Sequence, residues 1–378
     1  MREHTNSLRW GIVWMTLLVL GMPLRAEAQR VAKYGADFLS GGVGARALGM
    51  GSAYVGLAQD VTAGYWNPAG LHGLDYPEVA YMHAERFAGI VSFDYGSVAL
   101  PVNARSTVGL SFFRSGVNDI KNTLDAWDPE RDQPKPRPET YFTSFSAADY
   151  AFFLSYARAL GERLSVGLTG KIIRRTIGDF ADAWGYSFDL GLQYRTGRFV
   201  LGANLQDVST MLQSWSINPD AFRLEDVNPD TGQPYTFEEV FEQELPEGGS
   251  YLVLPVARLG SGVILPLGAS HLTIGLDLDF AFDGQQAYAF NLGDVSFHPR
   301  LGTEFSYRGV LAFRTGLSRI TTSERYGLDV VPTVGTGLRL KQVSLDYGFG
   351  DFAGLPSDLG YSHRISLQLR LEQPGLAR

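Results

Sequence analysis

Leu272-Thr273-Ile274-Gly275-Leu276-Asp277-Leu278-Asp279-Phe280-Ala281-Phe282 is the stretch that decides the fold. Every second residue is large and apolar, and Thr, Gly, Asp, Asp and Ala lie between. Successive side chains of an extended strand point to opposite faces, so one face here is continuously greasy and the other carries two carboxylates. Leu164, Val166, Leu168, Gly170 and Ile172 repeat the pattern against Ser165, Gly167, Thr169 and Lys171. Trp184, Tyr186, Phe188, Leu190, Leu192 and Tyr194 repeat it with aromatic rings at both ends, where amphipathic rings sit at a membrane–water boundary.

Working outward, the chain holds 44 glycines and 12% aromatic residues, and beyond residue 28 it has no apolar run long enough for a membrane helix. A chain that crosses a bilayer without apolar helices must close a sheet, because every backbone N–H and C=O in hydrocarbon needs a partner. About fourteen alternating segments follow one another, from Val79 to Ile365. Their connections alternate in length. Short ones fall at Pro101 to Arg105, Leu160 to Glu162, Thr196-Gly197, Pro266 to Ala269, Arg308-Gly309 and Lys341-Gln342. Long ones run from Ser115 to Asp149, Thr176 to Asp182, Val208 to Tyr251, Asp283 to Pro299, Ile320 to Pro332 and Gly350 to Tyr361. Tight periplasmic turns and long outer loops produce this alternation, and an even strand count returns both termini to the periplasm. The expected fold is an all-β transmembrane barrel of about 14 antiparallel strands, with an N-terminal hatch or plug segment and a short helix in a long extracellular loop.

The N-terminus supplies the address. Arg2 and Arg9 precede the uncharged stretch Trp10 to Met22, and Pro23 and Ala26-Glu27-Ala28 follow with a cleavage pattern. Residues 1–28 are therefore expected to be a cleaved signal peptide, residues 29–76 the hatch, residues 77–372 the barrel in the bacterial outer membrane, and residues 373–378 a periplasmic tail. The chain has no cysteine, so no disulfide framework is available. A net charge of -8 argues against a nucleic-acid partner.

Between the signal and the first strand stands Gly41-Gly42-Val43-Gly44-Ala45-Arg46-Ala47-Leu48-Gly49-Met50-Gly51-Ser52-Ala53, then Asp60, then Trp66-Asn67-Pro68-Ala69-Gly70-Leu71. This block resembles the PorV/PorQ family of outer-membrane proteins, which is related to the FadL-type barrels. The resemblance implies a fourteen-stranded barrel with an N-terminal hatch. It also implies a cargo-binding shuttle or scaffold in type IX protein secretion and surface attachment, with secreted proteins and other secretion-system barrels or attachment proteins as partners. The alternative is a FadL-like passive transporter of hydrophobic small molecules such as fatty acids, with such a molecule in the lumen and outer-membrane lipid around the wall. The hatch candidates are Arg46, Gly49, Gly51, Asp60, Trp66, Asn67, Pro68 and Gly70, whose roles are structural or ligand-proximal. Glycine permits close backbone approach in a confined lumen, and Asn67-Pro68 favours a turn toward the first strand.

The loop from Val208 to Tyr251 is strongly acidic. Thr236 and Glu239 have the spacing of a capping box, and Phe237, Val240, Phe241 and Leu245 then recur on one helical face. Phe237, Glu239, Val240, Phe241 and Leu245 are the candidate partner-binding residues. Gln133-Pro134-Lys135-Pro136-Arg137-Pro138 reads as a stiff spacer. Asp94, Lys171, Asp189, Asp277, Asp279, Glu304, Arg314, Arg339, Asp346 and Arg370 are expected to line the lumen. The paired Asp277 and Asp279 have no partnered nucleophile, and His72, His83, His271, His298 and His363 stand at no metal-ligand spacing. No enzyme chemistry, cofactor or metal is expected.

Overall fold

The computed structural model describes residues 30–31, 37–87, 89–208, 211–282, 290–323, 327–351 and 361–372. The signal sequence, the cleavage pattern and residues 373–378 lie outside them.

The structure is a closed antiparallel barrel of 14 strands. In chain order these are β1 (Glu78–Arg86), β2 (Val91–Asn103), β3 (Ser106–Asn122), β4 (Thr143–Ala159), β5 (Leu164–Ile177) and β6 (Ala181–Thr196). Then come β7 (Phe199–Gln206, resuming as Met211–Ile217), β8 (Gly249–Val253, resuming as Val256–Leu267), β9 (Ser270–Ala281) and β10 (Val295–Tyr307). The last four are β11 (Leu311–Ser323), β12 (Gly327–Leu340), β13 (Val343–Asp351) and β14 (Tyr361–Arg370). Each strand pairs with its neighbours in sequence. β1 closes the ring on β14, with Glu78 opposite Arg370 and Glu85 opposite His363, so each of the fourteen barrel strands is paired on both sides.

The alternation read from the sequence sets the two faces. Phe152, Ile172, Phe188, Leu276 and Ile365 are exposed on the outer wall, while their sequence neighbours Phe153, Ile173, Ser187, Asp277 and Arg364 are buried inside. Asp94 departs from the expected lumen position. Phe93, Tyr95, Ser97 and Ala99 are the buried residues of β2, so Asp94 shares the outer face with Val98 and Leu100. There it accepts from Tyr81 Oη at 2.7 Å, meets His83 Nδ1 at 2.9 Å and faces Arg114 at 3.7 Å. Strand phase overrode charge, and the cluster sits in the same cross-strand row as Arg174 and Trp184, the level of the aromatic end of β6.

Loop lengths also differ from expectation. β3 and β4 continue their pairing out to Asn122 and Thr143, beyond the expected ends at Ser115 and Asp149. The stretch from Thr176 to Asp182 is a tight turn with Gly178 at φ 50°. Within the acidic loop, β7 resumes after a bulge: Leu205 faces Leu190, yet Leu212 faces Tyr186, so extra residues are accommodated in between. The parts of the other long loops at 283–289, 324–326 and 352–360 lie outside the described residues.

Residues 37–74 fill the barrel. Short turns α1 (Asp37–Ser40), α2 (Ala45–Gly49) and α3 (Ala63–Trp66) and a 3₁₀ turn (Pro68–Gly73) carry the chain, and nearly all of their side chains are buried. The capping box forms as expected at α4 (Phe237–Phe241), but the helix stops there: Glu242 is left-handed at φ 53°. Glu242 and Glu244 at the negative end of the helix dipole, with Pro246 behind them, oppose another turn, so Leu245 lies outside it.

Candidate functional site

The hatch winds around the inner wall in reverse strand order, along a belt of inward glycines. Gly262, Gly275, Gly302 and Gly316 are successive cross-strand neighbours on β8 to β11, and the pairs Gly167–Gly191, Gly202–Gly260 and Gly335–Gly348 extend the belt. Side chains built at these positions would strike hatch main chain: Ala45 opposite Gly348, Gly49 opposite Gly335, Met50 opposite Gly302, Ala53 opposite Gly275, Val55 opposite Gly202 and Ala69 opposite Gly167. The belt explains much of the glycine content. Its signal was present in the sequence as glycines recurring at inward positions of consecutive strands.

Polar wall side chains satisfy the hatch backbone that this close approach isolates from water. Asp277 accepts from Tyr54 N and Val55 N at 2.6 and 2.7 Å. Gln193 donates to the carbonyls of Gly56 and Ala58, Asn204 to that of Trp66 and Thr169 to that of Gly64. Asp277 and Asp279 therefore have separate tasks. Asp279 is paired with Arg300, with Arg258 at 3.5 Å.

The hatch candidates fall into this interface. Arg46 grips Glu304 through both carboxylate oxygens, at 2.8 and 2.7 Å, and donates to Tyr54 Oη at 3.1 Å. Glu304 also accepts from Arg314 at 2.6 Å, and Arg314 reaches Asp346 at 2.7 Å. Burial pushes the Tyr54 phenol well above its ordinary pKa, so it remains a donor, and Asp60 accepts its hydrogen bond at 2.6 Å. Trp66 Nε1 donates to Val43 O at 3.0 Å. Asn67 caps the 3₁₀ turn through Ala69 N and ties Val55 O to Leu192 O with its amide, and Pro68 occupies the first turn position. Gly49, Gly51 and Gly70 each face backbone at van der Waals limits. Below the hatch, Arg46, Asp60, Glu304, Arg314, Asp346 and Arg370 line a polar recess of about 270 Å³.

The other half of the lumen has different chemistry. Phe93 and Phe113 on β2 and β3, Phe153 on β4 and Ile173 on β5 face inward and bury against Phe38 and Tyr65 of the hatch. Ring centroids lie 5.9 Å apart for Phe93–Phe113, 6.0 Å for Phe38–Phe113 and 6.0 Å for Tyr65–Phe153. Val91 and Val253 flank the cluster, half-buried. A water-filled barrel has a polar interior, whereas this part of the lumen is apolar and aromatic. Sequence reading missed these residues because it assigned inward positions to charge. The inward ion pairs nearby are closed on themselves: Lys171 holds Asp189 and Asp207 at 2.7 and 2.6 Å, which also fixes the β7 bulge.

Six aromatic rings continue above: Phe145, Phe180, Phe222, Phe237, Phe241 and Trp127 touch in sequence at centroid separations from 4.9 to 6.2 Å. Phe237 and Phe241, two of the loop candidates, thus face into a cluster that ties the two long loops together. Glu239 is engaged by Thr236 N at 2.8 Å, while Val240 and Leu245 are half-buried. Lys135 bridges to Asp226 at 2.7 Å across the same loops. Two of the histidines have partners of their own: His83 Nε2 faces the Glu85 carboxylate at 3.7 Å, and His363 Nδ1 meets Tyr347 Oη at 2.7 Å.

No protein-family model matches the chain, and no curated protein sequence does. Solved structures do match. The chain shares the fold of FadL-like barrels. The Ralstonia pickettii toluene transporter TbuX superposes with a TM-score of 0.54 at 13% identity, over 88% of this chain and 99% of that one. The Pseudomonas putida toluene transporter TodX gives 0.52 at 13% identity, over 86% and 96%. A Pseudomonas aeruginosa FadL homologue gives 0.50 at 13% identity, over 87% and 98%.

Proposed function

We propose that the protein is an outer-membrane channel for the passive passage of hydrophobic small molecules, delivered by its N-terminal signal and oriented with its tight turns in the periplasm. The apolar and aromatic cluster that Phe93, Phe113, Phe153 and Ile173 form against the hatch carries this reading. Apolar lining of this kind favours a guest that itself leaves water, at roughly 25 cal/mol per Å² buried, and offers nothing to a hydrated ion. The charged recess beneath the hatch is hostile to a naked hydrocarbon. Three solved structures with this fold are those of two toluene transporters and a monoaromatic hydrocarbon channel, in keeping with the reading.

The full chain, expressed in cells without their own uptake system, is expected to accelerate entry of radiolabelled toluene or oleate. Phe113→Asp should abolish that gain at unchanged insertion. Uptake indifferent to the protein would overturn the proposal.

The hatch sequence favours a second reading, a PorV/PorQ-type shuttle or scaffold for exported proteins in type IX secretion. The loop candidates weigh against it, since Phe237 and Phe241 turn inward and Glu239 is spent on its cap. Affinity capture from the native membrane separates the two: recovered exported proteins sharing one C-terminal domain would favour the shuttle.

A further inference from the structure

The loop end of the barrel has a notch in its rim. The turn from β5 to β6 is short, whereas β3 and β4 continue past the last β4–β5 pair, Ala147 with Ile177, out to Asn122 and Thr143. On the other side the chain leaves β7 through Asn218, Asp220 and Ala221. The groove between these two walls encloses about 850 Å³ over a floor of Gly178, Asp179 and Phe180. Main chain ties the floor to both walls. Gly178 N donates to Ser146 O at 2.9 Å, Asn218 N to Phe180 O at 2.9 Å, and Asn218 Nδ2 to Asp179 O at 3.0 Å.

The lining is amphipathic. Phe145 and Phe180, both half-buried, pack edge to face with centroids 5.0 Å apart. Beside them, the hydroxyls of Thr143, Ser144 and Ser146 and the carboxylate of Asp179 form no hydrogen bond or ion pair among the described residues. Asn122 spends its Oδ1 on Leu124 N at 3.1 Å and keeps its amide N–H groups. Rings next to free hydroxyl, amide and carboxylate groups match a sugar, which offers C–H faces to the rings and hydroxyls to the polar groups. Asp179 and Asp220 are the charged groups of the lining, and both are acidic. Arg223, bound to Asp220 at 3.0 Å, and Lys121, opposite Ser144 across the hairpin, stand outside it. A phosphate or uronate would therefore meet like charge, and a neutral sugar would not. A peptide strand would need a run of main-chain partners, but with Ser146 O taken the open edge of β4 is reduced to Thr143 and Ser144.

Ser144 and Ser146 are exposed and share the outward phase of Phe152, Leu154 and Tyr156. Tyr150 stands in the cross-strand row of Arg174 and Trp184, the outer aromatic end of the wall. Four residues further on, Ser146 lies roughly 13 Å along the strand beyond that row. One wall of the groove thus continues the membrane-facing surface, at a height above the hydrocarbon where a glycolipid carries its sugars. We infer that the groove binds the neutral saccharide of an outer-leaflet glycolipid.

The full chain in detergent, titrated by microscale thermophoresis with two lipopolysaccharides, tests this. One carries neutral outer-core hexoses and the other is truncated at the acidic inner-core sugars, so the two differ in neutral sugar alone. The longer form is expected to bind about tenfold more tightly, the factor that one or two net hydrogen bonds supply. Ala221→Trp, which fills the notch, should bring the two affinities together. Ser144→Ala with Ser146→Ala and Asp179→Ala should do the same, with heat-modifiable gel mobility reporting that each variant is folded. Equal affinity of the unmodified protein for both lipids would overturn the inference, as would a preference that survives both sets of substitutions. Outer-core oligosaccharide freed from its lipid, if it bound as tightly as the intact molecule, would overturn it too, since the groove would then serve a soluble sugar.

Discussion

Toward the turn end the hatch meets its barrel through main chain and ions, glycine against glycine and Arg46 against Glu304. Toward the loop end it meets the barrel through aromatic rings, Phe38 on Phe113 and Tyr65 on Phe153. The first contact is exact in geometry and tolerates nothing, because a backbone atom cannot rotate out of the way of an added methyl and a buried charge cannot lose its partner cheaply. The second rests on non-directional apolar burial, which accommodates changes in shape. The wall therefore holds its plug by an intolerant contact in one half and a tolerant one in the other.

The largest expected effect comes from attacking the main-chain half. Gly51 has φ 63°, and a Cβ there would sit 2.5 Å from Leu301 O and 2.6 Å from Leu317 N. Gly51→Val adds left-handed strain of about 1–2 kcal/mol to a clash that only displacement of the hatch relieves. We expect a total loss beyond roughly 5 kcal/mol, in the exceptional range for one substitution, read as hatch residues becoming open to protease while the barrel stays inserted. A protected hatch in this variant would break the comparison. Glu304→Ala comes next, since it removes the carboxylate that Arg46 and Arg314 share and leaves Asp60 and Asp346 as the carboxylates beside two facing guanidinium groups. A cost of about 3–5 kcal/mol is expected, measured as a lowered denaturant midpoint in detergent, with Glu304→Gln recovering part of it.

The legibility of these two halves in the sequence also differs. Strand count, closure and the even spacing of tight turns follow from alternation, because period-two hydrophobicity is a local signal and Leu272 to Phe282 contains all of it. The aromatic cluster was not legible: Phe93, Phe113 and Phe153 alternate with outward residues that are apolar, polar or, at Asp94 and Arg114, charged, so only the register tells which set faces in. Asp94 shows the converse, a carboxylate outside because its strand phase puts it there. The glycine belt needed pairing information as well, since Gly275 and Gly302 are remote in sequence and adjacent only across β9 and β10. Of the hatch motif, the need for glycines at close approach was readable, but Arg46 gave no hint that Glu304 would be its partner.

In the aromatic half, Phe113→Ala is expected to cost about 3 kcal/mol, the lower part of the range for a buried Phe, because the apolar neighbours can relax into the space. Toluene binding should weaken along with stability, whereas Phe113→Leu should retain most of both. If Phe113→Leu destabilised the protein as much as Glu304→Ala does, the distinction between a tolerant and an intolerant half would fail.

The smallest effect belongs to the loop cap, where neither half of the hatch is touched. Thr236 Oγ1 accepts from Glu239 N at 3.3 Å while the Glu239 carboxylate accepts from Thr236 N at 2.8 Å, so Thr236→Ala removes one side of a reciprocal pair, worth about 1 kcal/mol. Five helical residues have little cooperativity to absorb that loss, so the change should appear as faster proteolysis between residues 236 and 248. The denaturant midpoint should stay where it was, because the aromatic contacts Phe222–Phe237 and Phe241–Trp127 tie this helix only to other loop residues. A shifted midpoint would mean that the loop cluster braces the barrel, and its aromatic chain would then count with the structural half of the molecule.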